Sequence, residues 1–304
     1  MMTLAPSPAA EYYATNYYTA DQAVDTSAWF GRAAEALGLS GKVDQQVFTD
    51  VLDGKLPNGS VIAGKDGVHR PGVDLTFSAS KSVSLLAMIG GDKRLIEALK
   101  ESVAATLVWA EKNVIEARVW DPELGRQIPE KTGNLLAATF LHDVNRNGEP
   151  QLHIHAVTAN ATLASDGKWH AVRNDQLYRS QRLLSAIHNA DLRERVEALG
   201  YETVPAKRDI DGAFEIKAVS REAVDAFSSR RAEILAALAK ENRGSARERE
   251  LAALSTRRGK EPEPDAARQG AAWNETARAI GFDPSPLVES AMARAAWRSP
   301  ALWV

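Results

Sequence analysis

The chain changes its hydrophobic period near its middle, and that change limits the folds open to it. Asn134–Asp143 (NLLAATFLHD) is an apolar run of strand length, Asn145–Pro150 is polar and holds Asn147-Gly148, and Gln151–Asn160 (QLHIHAVTAN) is a second strand-like run. Two such runs joined by an Asn-Gly turn read as an antiparallel hairpin. Asp166-Gly167 marks a further turn, and Lys168–Val172 (KWHAV) reads as a third strand, so the centre is expected to be a meander.

Helical periods surround this centre. Residues 28–39 and 43–53 read as short amphipathic helices. Residues 73–77 (VDLTF) alternate as a strand, and Ser78 or Ser80 then caps a helix running to about Ile89, where Gly90-Gly91 breaks it. A second helix is expected over 93–117, a long one from Asn174 to Leu199 closed by Gly200, and two short strands near 201–204 and 213–217. The last third reads as helical and charged, with a linker at Lys260–Asp265 (KEPEPD). The layer argument then gives an α+β fold: a central antiparallel sheet of about five strands, one face carrying histidines and the other covered by helices. An N-terminal strand should lead directly into a tyrosine-rich segment.

Composition removes several functions. With no cysteine, disulfides, zinc ribbons, iron–sulfur clusters and thiol nucleophiles are excluded. No apolar run reaches the roughly 18 residues of a membrane span, and MMTLAPSPAAEYY lacks the basic and apolar regions of a secretory signal. No membrane insertion is expected, and the lack of cysteine fits a reducing compartment such as the cytoplasm. A net charge of −3 argues against coating nucleic acid by bulk charge. The charge is uneven: residues 1–74 hold five Lys/Arg against nine Asp/Glu, and residues 230–260 hold nine Lys/Arg against four Glu. Such unevenness suggests an oriented field.

Three of the six histidines cluster in the hairpin. His153 and His155 are two apart on a strand and so share a face. His142 ends the preceding strand and faces the same side if the strands pair. Three converging imidazoles make a metal site with open positions. Imidazole suits zinc, cobalt, nickel, copper and manganese better than magnesium, which prefers oxygen. Mg²⁺ or Mn²⁺ is expected to serve in function, with Zn²⁺, Co²⁺ or Ni²⁺ also able to bind.

The second unusual cluster is EYYATNYY, which holds Tyr12, Tyr13, Tyr17 and Tyr18, four of the six tyrosines. Tyr13 and Tyr17 are four apart and would share a face of a straight helix. A tyrosine phenolate can attack phosphorus and form a phosphotyrosine if a base or nearby positive charge activates it.

These motifs together resemble one family. The paired tyrosines, GLSGKVD, HRPGVDLTF with SASKSVS, TGNLLAATF, HDVNRNGEPQLHIHA and VEALGYET follow, in order, the pattern of conjugative relaxases of the TraI/TrwC type, members of the HUH endonucleases. The resemblance runs to about residue 203. It implies a palm over 1–220 and helical fingers over 221–304 that cover a DNA groove. It also implies strand-specific nicking of plasmid DNA at an origin of transfer, with a covalent 5′-phosphotyrosine, a free 3′ hydroxyl and later religation. Carried over by motif, Tyr12 is the main nucleophile and Tyr17 or Tyr18 serves a second transfer. His142, His153 and His155 match the metal ligands, and Asp74 matches an acidic residue that bonds a ligand histidine. Lys81, Arg146, Arg173, Arg179 and Arg182 are the candidate phosphate contacts. The implied partners are single-stranded DNA, accessory relaxosome proteins and a coupling protein, with a helicase region in longer relatives.

The sequence departs from the family pattern in three places. Ser80 replaces a usual proline, Ile154 replaces a usual threonine, and the gap between tyrosine pairs is short. Two rival readings share some features. A rolling-circle replication initiator uses the same chemistry, but its tyrosine typically follows the histidines in sequence. A non-catalytic single-stranded DNA-binding module would have no use for Tyr12, Asp74 and all three histidines together.

Overall fold

The computed structural model describes residues 2–7, 13, 27–63, 69–207, 210–229, 232, 233 and 266–298. In chain order the first elements are β1 (Met2–Pro6), β2 (Ser27–Phe30), α1 (Arg32–Ala36), α2 (Gln45–Leu52), β3 (Gly72–Ser78), α3 (Lys81–Met88) and α4 (Arg94–Asn113). There follow β4 (Glu116–Asp121), β5 (Arg126–Lys131), β6 (Ala137–Val144), β7 (Pro150–Ala159), β8 (Thr162–Leu163) and β9 (Trp169–His170). The last are α5 (Asn174–Ala198), β10 (Thr203–Pro205), β11 (Phe214–Ile216), α6 (Arg221–Ala226), α7 (Ala266–Ala279) and α8 (Ser285–Arg298). None of the described helices is long and apolar enough to cross a membrane.

The central sheet has five strands in the order β1-β3-β7-β6-β2, every pair antiparallel. This is the expected α+β architecture, with β1 preceding the tyrosine segment. Alternation decides which residues go where. Val73, Leu75 and Phe77 of β3 and Leu152, Ile154 and Ala156 of β7 enter one core with α3, α4 and α5. Trp273 and Ala277 of α7 and Val288 and Ala291 of α8 join that same core. Asp74, Thr76, His153 and His155 point to the opposite face.

That opposite face does more than carry the histidines. Around α1 and α2, Ala33, Ala34, Phe48, Val51 and Leu52 form a second core with Leu136, Ala138, Phe140, Val157 and Ala159 of the sheet region. Among the described residues, helices thus cover one face and one end of the other.

Three expected elements, and with them the meander, are corrected. Residues 28–39 do not form one helix: Ser27–Phe30 is the edge strand β2, paired to β6, and only Arg32–Ala36 is helical. Gly31 separates the two, at φ 101°, where a Cβ would lie 2.1 Å from the Leu135 carbonyl oxygen. The buried Glu111 carboxylate fixes the junction by accepting from both Arg32 N and Leu135 N at 2.8 Å. The helix expected over 93–117 ends at Asn113, because Glu116 onward pairs with Arg126–Lys131 as a ribbon. The strand expected at 168–172 does not extend the central sheet; Trp169–His170 pairs only with Thr162–Leu163. The centre is therefore a hairpin flanked by strands distant in sequence, not a meander. Ser78 belongs to β3, and Ser80, in extended conformation, is the N-cap of α3. The expected linker at Lys260–Asp265 lies outside the described residues.

Candidate metal centre

Each histidine is placed by strand register. His142 on β6 sits directly opposite His153 on β7, and two positions along β7 His155 sits opposite Phe140. The ring centroids are 5.3 Å apart for His142–His153 and 5.1 Å for each of the other two pairs. One nitrogen from each ring lies within 4.8 Å of the others, and all three rings are half-buried. The expected convergence is present.

Neighbouring groups set the tautomers. Asp74 reaches from β3, and His155 Nδ1–H donates to its two carboxylate oxygens at 2.9 and 3.0 Å. A carboxylate only accepts, so the lone pair of His155 lies on Nε2. Thr76, opposite His155 on β3, places its hydroxyl 3.1 Å from the same Nδ1 and donates to Asp74 Oδ1 at 3.4 Å. His153 Nδ1–H donates to the Gln151 carbonyl oxygen at 2.7 Å, which likewise leaves its Nε2 as the basic atom. Burial, with the nearby His155 adding to it, pushes His153 down to about 4. It is neutral at pH 7, as a metal ligand must be. Neutral imidazoles with Nδ1–H held by an oxygen acceptor are the usual form of a histidine metal site, so this donor set fits a divalent transition ion.

A break in the ladder lies beside the triad. Pairing shifts between His142↔His153 and Val144↔Pro150, so two β7 residues face one on β6. Bulges of this kind re-aim side chains near functional sites. This bulge releases the Gln151 carbonyl toward His153. Neither Thr76 nor Gln151 stood out in the sequence. Alternation in VDLTF places Thr76 beside Asp74, but a carbonyl freed by a bulge leaves no mark on residue type.

The other candidates are scattered. Tyr13 is fully buried in the second core, edge-on to Phe48 with centroids 5.6 Å apart, and Phe48 in turn meets Phe140 at 5.2 Å. Tyr12, Tyr17, Tyr18 and nearly all of the basic stretch 230–260 lie outside the described residues. Arg146 is exposed in the β6–β7 turn. Lys81 is half-buried at the start of α3 and donates to the Pro150 carbonyl oxygen at 2.7 Å. Arg173, before α5, is engaged by Glu116 and Asp175 at 3.2 and 2.8 Å. Arg179 is exposed on α5, and Arg182 there meets Asp211 at 3.1 Å. Helix α5 packs on the sheet face away from the histidines, so these three arginines are not assembled with the triad. An exposed feature missed in the sequence is the β4–β5 ribbon, where Arg118 and the 61% exposed Trp120 share a face.

Comparison with known proteins gives consistent matches. A family model described as TrwC relaxase matches residues 6–280. The multifunctional conjugation protein TraI of Escherichia coli (strain K12) is 40% identical over 289 residues, covering 90% of this chain and 16% of that protein. The chain thus spans about a sixth of that relative. A solved structure of the conjugative relaxase TrwC in complex with oriT DNA, copper-bound, has a TM-score of 0.86 at 34% identity and covers 94% of this chain and 100% of that one. TrwC complexed with a 27-mer DNA comprising the recognition hairpin and the cleavage site has a TM-score of 0.84 at 34% identity, with the same coverage.

Proposed function

The chain belongs to the TrwC relaxase family, and from that premise we propose that it nicks and rejoins one strand of plasmid DNA at an origin of transfer. The observation that carries the reading is the three-histidine cluster backed by Asp74. A divalent ion held by His142, His153 and His155 would polarise the scissile phosphate and offset charge building there.

The chain's own residues do the rest. Asp74 holds His155 with Nε2 toward the site, and the Gln151 carbonyl does the same for His153. Tyr12 is the proposed nucleophile. Its phenolic oxygen forms a bond to phosphorus as the bond to the 3′ oxygen breaks, and the phenol proton passes to that leaving oxygen with Asp74 assisting. One phosphodiester replaces another, so no ATP is consumed, and attack by the 3′ hydroxyl reverses the step. The choice of Tyr12 is supported by Tyr13, whose ring is committed to the second core. Tyr17 or Tyr18 serves the second transfer.

The substrate is single-stranded near the nick. Arg146, on the turn between the ligands, is a proposed phosphate contact. Arg118 and Trp120 offer a cation beside an exposed ring, the combination that binds unpaired bases. Arg179 and Arg182 would meet DNA only where it runs past the sheet. We further place residues 1–220 as palm and 221–304 as fingers, although α7 and α8 also pack into the main core, with Mg²⁺ or Mn²⁺ as the working ion, the cytoplasm as location, and accessory relaxosome and coupling proteins as partners.

The test is incubation with an oriT oligonucleotide and Mg²⁺ or Mn²⁺, read on a denaturing gel. A covalent adduct lost in Tyr12→Phe and retained in Tyr13→Phe is expected. An adduct that survives Tyr12→Phe at the normal rate and disappears in Tyr13→Phe contradicts the assignment. Oligonucleotide binding with no adduct contradicts the enzyme reading.

A further inference from the structure

At the start of β7, on the side away from β6, its partners come from α3 and the residues just before it. The Pro150 carbonyl accepts from Lys81 Nζ at 2.7 Å, and the Leu152 carbonyl accepts from Ala79 N at 3.0 Å. Leu152 N donates to Ser84 Oγ at 3.0 Å. The Gln151 carbonyl is left for His153 Nδ1–H, and the Gln151 side-chain amide donates to the Ala79 carbonyl at 3.1 Å. β3 ends at Ser78, and the first turn of α3 with the residues before it takes the β7 backbone groups beyond that end, while the bulge on the β6 side frees the Gln151 carbonyl. Lys81 is poorly placed to receive a phosphate. Its ammonium is turned into the strand carbonyl, and the Glu149 and Glu215 carboxylates already face it. Glu149 is itself fixed by accepting from Ser229 N at 2.6 Å.

We propose that Lys81 and Gln151 are positioning residues of the histidine centre, acting through His153, and that Lys81 is not a DNA contact. Together they pin Pro150 and Gln151 ahead of the Gln151 carbonyl, as Ser84 and Ala79 hold Leu152 after it, so that this oxygen stays aimed at His153 Nδ1–H and the ring keeps Nε2 toward His142 and His155. Groups that orient a ligand histidine commonly alter metal affinity by about 10–100-fold when removed. A phosphate-contacting lysine behaves otherwise: its loss weakens DNA binding and lowers the salt slope by about one. The proposal rests on reading the triad as a metal centre.

The experiment titrates the full chain with Co²⁺, followed by visible absorption, for the parent, Lys81→Met and Gln151→Met. Binding of a fluorescent single-stranded oligonucleotide is measured alongside, without metal and across a salt series, together with the melting temperature of the metal-free protein. The expected result is Co²⁺ affinity about tenfold lower in both variants, with oligonucleotide affinity, salt slope and melting temperature close to the parent's. Gln151→Met, which keeps the side-chain volume, carries the measurement if Lys81→Met does not fold. Unchanged Co²⁺ affinity overturns the proposal, as does weaker oligonucleotide binding with a shallower salt slope in Lys81→Met. A parent that binds no Co²⁺ overturns the metal-centre reading itself, and this proposal with it.

Discussion

One face of the central sheet holds two opposite environments on the same pair of strands. At one end Ala138 and Phe140 of β6 and Val157 of β7 are sealed under Phe48 and Tyr13. At the other, His142, His153 and His155 stand half-buried with Asp74 behind them. The change happens within one cross-strand pair, Phe140↔His155. Strand register makes this possible: every second residue along β6 and β7 shares the face, so a row of side chains passes from a packed core to a ligand set with no change of backbone. The sealed end anchors the strands, and the open end uses the rigidity that results.

If that division holds, substitutions at the two ends should damage different properties. The largest effect belongs to His153→Ala. Removing one of three ligands should lower adduct formation by more than about a thousandfold, a barrier increase of about 4 kcal/mol. Single-strand binding should stay nearly intact. Activity retained in this variant would break the comparison at its open end.

At the sealed end, Phe48→Ala should cost about 3–4 kcal/mol of folding stability, because it empties a site between Tyr13, Trp29 and Phe140. Chemical denaturation measures it, and His153→Ala should move the same midpoint little. Asp74→Asn is smaller and sharpens the open end. An amide presents either an oxygen or an N–H to His155, so tautomer control weakens, and metal affinity should fall about 10–100-fold by Co²⁺ titration. A neutral substitution there would mean that Asp74 does not orient His155.

The smallest effect concerns a histidine outside the centre. His188 is buried on the helix-covered face, edge-on to Phe77 with centroids 5.2 Å apart and its Nδ1 3.0 Å from Ser102 Oγ. Burial is the main cause that lowers it to about 3. Its unfolded form, near 6.5, binds a proton that the folded form refuses, so its contribution is intact above pH 6.5 and declines as pH falls toward 3. At pH 5.5 the loss is about 1–2 kcal/mol. His153 titrates over a similar window, so the measurement is the difference between the parent and His188→Leu, whose stability should fall less steeply with acid.

The sequence disclosed the open end better than the sealed one. The period-two run QLHIHAV next to an Asn-Gly turn locates the ligand hairpin, because alternation alone puts His153 and His155 together. Asp74 came from motif resemblance, and VDLTF alternation is consistent with its facing the site. The second core was not legible. Ser27–Phe30 looks helical in AWFGRAAEALGL, since only the Leu135 carbonyl packed against Gly31 reveals why the chain breaks there. The β4–β5 ribbon was hidden by an apolar helix period that runs on past Asn113. Lys81 read as a free cation because its acceptor, the Pro150 carbonyl, is distant in sequence and belongs to the backbone.

The most direct test of the metal centre is anomalous diffraction at the zinc edge from crystals of the full chain soaked in Zn²⁺. One ion bound by all three histidines is expected, at about 2.0–2.1 Å from Nε2 of His153 and of His155, with Asp74 still on His155 Nδ1. An ion bound elsewhere while the triad stays empty, or an ion on only one of the three rings, would contradict it.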